Sequence, residues 1–276
     1  MSEFENIVIG KSSIPSLIIT VVLMIAIPVV FFLFWRGKHK QRTGIRYLLA
    51  GAVGFLVSAR VLELGVHYFC IISENPVSRF INGNTAAFVL YGITMAGVFE
   101  ECGRHIILKY IMKKDRTREN AVLYGIGHGG IEILAVLLPT MITYLAVAVL
   151  FSSGNTESAL SALKITEQTA AAALPSVQAA AAFDYGMMAM NVIERLLAMC
   201  AHIGLTVIVF YGVVNTKKLC LPHGKSQSDD LLGGFLLLFC ILKTQYCPGM
   251  TGGKGAGAQL FQNFGAEIQQ PQGICH

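Results

Sequence analysis

Five apolar runs, separated by polar and basic residues, constrain this chain of 276 residues more than any other feature of its sequence. Each run is long enough to cross the hydrocarbon core of a bilayer, about 30 Å thick, which takes about 20 helical residues. The runs are Ile14–Trp35, Tyr47–Ile72, Thr85–Met112, Ala121–Phe151 and Tyr185–Val214. Because backbone polar groups in lipid must be satisfied internally, such runs form helices. The sequence therefore predicts an all-α, polytopic integral membrane helical bundle of five spans, with room for a re-entrant segment or further helices.

The composition agrees with a protein whose main partner is the lipid bilayer. Hydrophobic residues make up 54% of the chain and charged residues 13%, against about 25% charged in an average soluble domain. The net charge is +5, but Lys and Arg occur in short clusters between apolar runs, a pattern that orients membrane proteins and gives no nucleic-acid signal. The seven cysteines form no C-x-x-C pair, so we expect free thiols.

Basic clusters predict how the spans are oriented. Lys and Arg are concentrated at 36–46, 113–118 and 217–225, after the first, third and fifth runs. Since positively charged loops stay in the cytoplasm, we expect a multi-pass protein of the cell (plasma) membrane with its N-terminus outside. The Ser-, Thr- and Ala-rich segment 152–182 would also lie outside, as an Ala-rich helix or a re-entrant piece.

The character of the chain changes near residue 222. The apolar stretch 231–242 is too short to cross the hydrocarbon core, and the Gly- and Gln-rich sequence after it has no periodicity. We therefore expect residues 1–221 to form the transmembrane bundle and residues 222–276 to form an atypical, poorly ordered C-terminal tail.

Clusters of ionisable side chains lie at a similar depth within the third, fourth and fifth apolar runs. A charge at bilayer depth costs at least about 2.5–3.5 kcal/mol, so it usually faces the bundle interior or a water-filled cavity and marks function. These residues are Glu100, Glu101 and Arg104 in the third run, His128 and Glu132 in the fourth, and Glu194, Arg195 and His202 in the fifth. By helical rise, Glu100, His128 and His202 lie about 15–22 Å from the basic clusters. We predict that these three share one polar cavity near the midplane or in the cytoplasmic half.

The spacing within each run also predicts common faces. Glu100 and Arg104 are i,i+4 neighbours, as are His128 and Glu132. The second run carries another polar stripe, which we interpret as polar packing or pathway lining because it lies further toward the outside. Its members are Arg60, Glu63 and His67.

The ionisable residues form three spaced motifs. They are Glu100-Glu101-x-x-Arg104, then Gly127-His128-Gly129-Gly130-x-Glu132, then Glu194-Arg195-x-x-Ala198-x-x-x-His202. Together they resemble the bacterial YhfC family of intramembrane metalloproteases, distantly related to the CAAX prenyl-protease and bacteriocin-processing membrane enzymes. The resemblance covers Ile14 to about Lys218. In the wider group the arginine lies one residue further from the glutamates, Asn or Asp stands where this chain has Thr206, and a further helix follows.

The resemblance implies hydrolysis of a peptide bond in a membrane-associated peptide or protein. Glu100 would be the general base that activates water, with Glu101 as its charge-sharing neighbour, since a carboxylate away from bulk water takes up a proton more readily. His128 would hold the same water, and His202 would donate to the developing oxyanion. The supporting residues would be Arg104, Glu132, Glu194 and Arg195.

Three alternatives stay open at this point. Glu100, His128 and His202 also make a two-His, one-carboxylate zinc set with a position left for water, although no H-E-x-x-H motif is present and the metal-free version is slightly favoured. A proton- or ion-coupled transporter would use the same groups as a relay or an ion site, but we find no internal repeat. In a catalytically inactive membrane scaffold, the buried pairs would only join helices.

Overall fold

A computed structural model describes residues 2–215, and the regular elements in this part of the chain are helices. They are α1 (Ser2–Glu5), α2 (Ser13–His39), α3 (Ile45–Ile72), α4 (Pro76–Gly83), α5 (Thr85–Ile111), α6 (Arg118–Ser152), α7 (Thr156–Ala162), α8 (Glu167–Ala182) and α9 (Tyr185–Asn215). Five of these helices, α2, α3, α5, α6 and α9, are long and apolar enough to span a membrane. The predicted all-α membrane bundle is confirmed. The predicted tail 222–276 and the basic cluster 217–225 lie outside the described residues.

Two spans extend beyond the predicted apolar limits, because polar side chains can continue a helix past the hydrocarbon boundary. α2 runs on to His39, and Trp35 near its end donates from Nε1 to the Glu119 backbone oxygen at 3.0 Å. α6 begins at Arg118, where the Thr117 side chain caps the helix by accepting from the Asn120 backbone nitrogen at 3.2 Å. The boundary of a span is therefore set by caps and interface contacts as well as by hydropathy.

Segment 152–182 forms two short helices, α7 and α8, where the sequence predicted one Ala-rich helix or a re-entrant piece. α8 packs on the C-terminal half of α6, and α1 joins them in an apolar cluster. The buried members of this cluster are Phe4, Val147, Phe151, Ala159, Leu160, Val177 and Ala180. The end of the bundle that carries the N-terminus is thus closed by short helices.

The N-terminal half of α6 lies at the centre of the bundle, between α3 and α9. Every residue from Asn120 to Gly130 is buried. A Cβ at Gly127 would clash with the Leu48 carbonyl oxygen of α3, and one at Gly125 would lie 2.8 Å from the Ile203 Cα of α9. Small residues allow such close backbone contact between membrane helices. This packing fixes the position of His128.

Three spans contain π-helical stretches, which widen the turn and shift the face that side chains present. They are Leu56–Leu62 and Tyr68–Ile72 in α3, Ile107–Ile111 in α5 and Ile133–Leu137 in α6. Single π-helical turns are frequent at functional sites. The π-helical stretch Leu56–Leu62 of α3 contains Arg60, and the stretch in α6 directly follows Glu132. Both stretches therefore lie beside ionisable residues.

Candidate active site

Three spans bring Glu100, His128 and His202 together. One potential ligand atom from each side chain lies within 4.8 Å of those from the other two. Glu100 is 3% exposed, His128 0% and His202 6%, so the cluster is buried in the bundle. The sequence predicted this convergence from matching depth on α5, α6 and α9, and the structure places the three side chains at one point.

Arg104 forms its ion pair with Glu101. The Arg104 Nη1 atom lies 3.3 Å from Glu101 Oε1, and both side chains are fully buried. The sequence had placed Arg104 one turn from Glu100, but i+3 and i+4 neighbours are both within reach on a helix. Arg104 therefore neutralises Glu101, while the nearest ion-pair contact of Glu100 is with His128 on α6.

His202 is held from both sides of its ring. Its Nδ1 atom lies 3.1 Å from Arg104 Nη2, and its Nε2 atom lies 2.6 Å from Glu132 Oε2. Arginine can only donate, so Nδ1 must accept; Nε2 then carries the proton and donates to the carboxylate. Glu132 and Arg104 together thus select one tautomer of His202. In this arrangement the N–H that we expected to serve an oxyanion is bonded to Glu132.

The other supporting residues continue this network toward the surface. Arg195 Nη1 lies 3.8 Å from Glu132 Oε1, and the Arg195 side chain also pairs with Glu194. Glu194 is the most exposed residue of this network of side chains. Glu132 therefore contacts a site histidine directly, whereas Arg195 and Glu194 act on the site only through Glu132.

His128 is fully buried and has unsatisfied nitrogens. Its Nε2 atom lies 3.7 Å from Glu100 Oε2, too far for a hydrogen bond, and neither ring nitrogen has a hydrogen-bond partner among the described residues. The ring packs instead against Phe55 and His202, with centroids 5.1 Å and 5.0 Å away. Buried polar atoms nearly always have partners, so the His128 nitrogens are available to a water molecule or a metal ion.

The donor set fits a metal ion. Two imidazoles and a carboxylate are usual zinc ligands, and around one tetrahedral ion such atoms lie about 3.4 Å apart. The ligand atoms here lie within 4.8 Å of one another, so the side chains would have to rotate closer together to bind one ion. Glu132 on Nε2 of His202 is the kind of carboxylate contact that lies behind metal-binding histidines, so His202 would bind an ion through Nδ1, and Arg104 would have to release that nitrogen. The unsatisfied nitrogens of His128 supply the second imidazole.

The polar stripe of α3 forms a second cluster next to the site. His67 Nε2 lies 3.3 Å from Glu63 Oε1, and His67 Nδ1 lies 2.8 Å from the Tyr91 hydroxyl of α5. Sequence reasoning missed Tyr91, because a single tyrosine in an apolar run carries no pattern that distinguishes it. A cavity lined by Arg60 and Glu63 reaches Glu100, so the stripe and the site share one space.

A helical membrane bundle with a buried cluster of carboxylates, histidines and an arginine is the class of protein that this fold and site define. The model of the family described as "YhfC intramembrane metalloprotease" matches residues 23–224. The chain belongs to the YhfC family, as its three motifs indicated. It is 31% identical over 187 residues to the "Uncharacterized membrane protein YhfC" of Bacillus subtilis (strain 168), covering 67% of this chain and 70% of that protein. No solved structure matches the chain.

Proposed function

We propose that the protein is an intramembrane peptidase that hydrolyses a peptide bond of a membrane-associated peptide or protein. The observation that carries this proposal is the convergence of Glu100, His128 and His202 from three spans within 4.8 Å, with Glu100 also lining a cavity. The family description as an intramembrane metalloprotease supports the same class. Buried ionisable groups in membrane spans are costly, and this cluster brings together the groups that hydrolysis needs.

Of the two adjacent carboxylates, Glu100 is the one suited to activate water. Glu100 lines the cavity, whereas Glu101 is fully buried against Arg104. A general base must reach the water whose proton it takes, so access separates the two. Glu101 then serves as the partner that keeps Arg104 neutralised, and Arg104 in turn orients His202.

His128 is the candidate group that holds the reacting water, and His128 and His202 are the candidate histidine ligands of a metal ion, His202 through Nδ1 once Arg104 releases it. The free nitrogens of His128 point to a ligand outside the protein, and Glu132 fixes the ring of His202. Glu100, His128 and His202 would be the metal ligands. When bound, the ion would make a coordinated water more acidic and polarise the scissile carbonyl. Without an ion, Glu100 takes the proton from water, and His128 orients that water.

The direct test is Glu100→Gln. Glutamine keeps the size and hydrogen-bonding reach of glutamate but cannot accept the proton of water, so hydrolysis should fall by about 10²–10⁴-fold, the usual contribution of a general base. Because Arg104 is paired with Glu101, the substitution should leave no buried charge without a partner. Yield after detergent extraction and the melting temperature should therefore stay near those of the wild type. Cleavage of a candidate membrane substrate would be measured on the same samples.

Met188→Leu is the matched control, since it changes a half-buried packing residue of α9 without removing an ionisable group. It should retain both fold and cleavage. Full cleavage by a well-folded Glu100→Gln protein would remove Glu100 from the chemistry. Loss of fold in Glu100→Gln would assign the residue to helix packing instead.

A further inference from the structure

A cavity of about 110 Å³ lies between α3, α5 and α6. Its inner end is lined by Glu100 and Glu132, both beside the site histidines. Its α3 side carries the residues Ala59, Arg60, Glu63 and His67. Five ionisable side chains from three spans therefore face one space at membrane depth, which is unusual because each would be costly against lipid.

The α3 residues make this space elongated. They recur every three to four residues from Ala59 to His67, so they form one stripe about 12 Å long on the helix axis. His67 is five residues before the end of α3 at Ile72, which is about 8 Å further along the axis. The cavity thus extends from the site toward the end of the bundle that carries the N-terminus.

The charges along the stripe favour a hydrated cavity. Glu63 and His67 pair with each other at 3.3 Å. Arg60 is half-buried, and no ion pair or hydrogen bond joins it to the rest of residues 2–215. A guanidinium group has five N–H donors, and in an apolar span water is the partner that can satisfy them.

The volume decides what the cavity can carry. Holding one water takes about 10–15 Å³ of space that the centre of a water molecule can reach, so about 110 Å³ of such space holds several water molecules. Hydrolysis consumes one water per bond cleaved, and the side chains at the site are almost completely shielded from solvent.

We propose that this cavity is a water channel that supplies the site from the end of the bundle carrying the N-terminus. The purpose of the channel rests on the proposed peptidase function, but its hydration does not. Arg60, Glu63 and His67 keep the channel wet, and Ala59 leaves room for water next to Phe55 at its inner end.

Single cysteines placed along α3 test the proposal, in a background in which the seven native cysteines are replaced. Ala59→Cys and Leu64→Cys line the cavity at its inner and outer parts. Val57→Cys and Val61→Cys are controls on the outward face of the same helix, where the native side chains are 49% and 63% exposed. The probe is 2-aminoethyl methanethiosulfonate applied to membranes, which reacts with the thiolate form that requires water. We expect both cavity positions to react at least about 10-fold faster than both controls.

A reaction rate at Ala59→Cys no higher than at Val57→Cys would overturn the proposed channel. This holds even if Leu64→Cys reacted quickly, because the water would then end short of the site. The Glu100→Gln variant should label at the same rates while losing hydrolysis. Fast labelling of Ala59→Cys together with full cleavage by Glu100→Gln would leave the channel standing and remove the proposed peptidase mechanism. Each variant must melt within a few degrees of the cysteine-free parent to be scored.

Discussion

Glu63–His67 and Glu100–His128 are both carboxylate–histidine pairs inside membrane spans, and they are built differently. Glu63 and His67 lie one turn apart on α3, 3.3 Å from each other, and the Tyr91 hydroxyl binds the other ring nitrogen at 2.8 Å. Glu100 and His128 come from two helices and are 3.7 Å apart. Neither nitrogen of His128 has a hydrogen-bond partner in the part of the chain that the structure describes.

The difference separates a satisfied polar pair from one prepared for a ligand. A pair on one helix forms as soon as the helix does, and it holds polar groups in the span at low cost. A pair across helices depends on how the two helices are placed: glycine contacts hold α6 between α3 and α9, and Gly103 of α5 lies against Ser58 of α3. The helices around His128 are closely packed, yet its ring nitrogens make no hydrogen bond to the described residues. Such an arrangement is expected where a molecule or ion from outside the chain completes the site.

The largest effect should come from breaking the buried ion pair that supports the active site. Glu101→Gln leaves Arg104 charged and fully buried without its carboxylate, which costs about 3–5 kcal/mol. We expect a large fall in extracted yield and in resistance to denaturant. Glu63→Gln is the matched change in the α3 cluster, where the side chains are slightly exposed beside the cavity, and it should cost much less. Equal stability of the Glu101→Gln and Glu63→Gln variants would show that burial does not make the active-site ion pair more important for stability than the pair in the α3 cluster.

A second prediction concerns metal. Wild-type protein purified without chelator should carry about one zinc ion per chain, and His128→Ala should lose it, because one of three ligands is removed. His67→Ala, the corresponding histidine of the α3 cluster, should keep the ion. Elemental analysis after dialysis measures both. Zinc retained by His128→Ala would exclude the proposed ligand set, and active wild-type protein without metal would leave Glu100 as the base acting on free water.

The sequence was sufficient for the spans and for the convergence of the site. Run length sets the number of spans, and helical rise sets the depth of each ionisable residue. The sequence could therefore predict that Glu100, His128 and His202 lie at a similar depth and share one site. Both inferences need only the length of each apolar run and the position of each ionisable residue along it, and both can be read from the sequence.

The pairing of side chains could not be predicted in the same way. Arg104 chooses Glu101 over Glu100, and Glu132 bonds His202 on another helix as well as lying one turn from His128. Such choices depend on helix rotation and rotamers, which packing determines. Thr206 is a further case: its hydroxyl donates to the His202 backbone oxygen at 2.7 Å.

The smallest effect should come from Tyr91→Phe, which deletes the hydroxyl that binds His67 and leaves the ring in place. Hydrogen bonds between membrane helices contribute about 0.6 kcal/mol on average, so only a slight loss of stability is expected. Tyr91 is not one of the described residues that line the cavity. We therefore expect hydrolysis to remain at the wild-type rate. Unfolding in denaturant and substrate cleavage would be compared on one preparation. If Tyr91→Phe instead lowered cleavage as strongly as Glu100→Gln, the α3 cluster would belong to the catalytic machinery, and the division between a satisfied pair and a prepared site would be wrong.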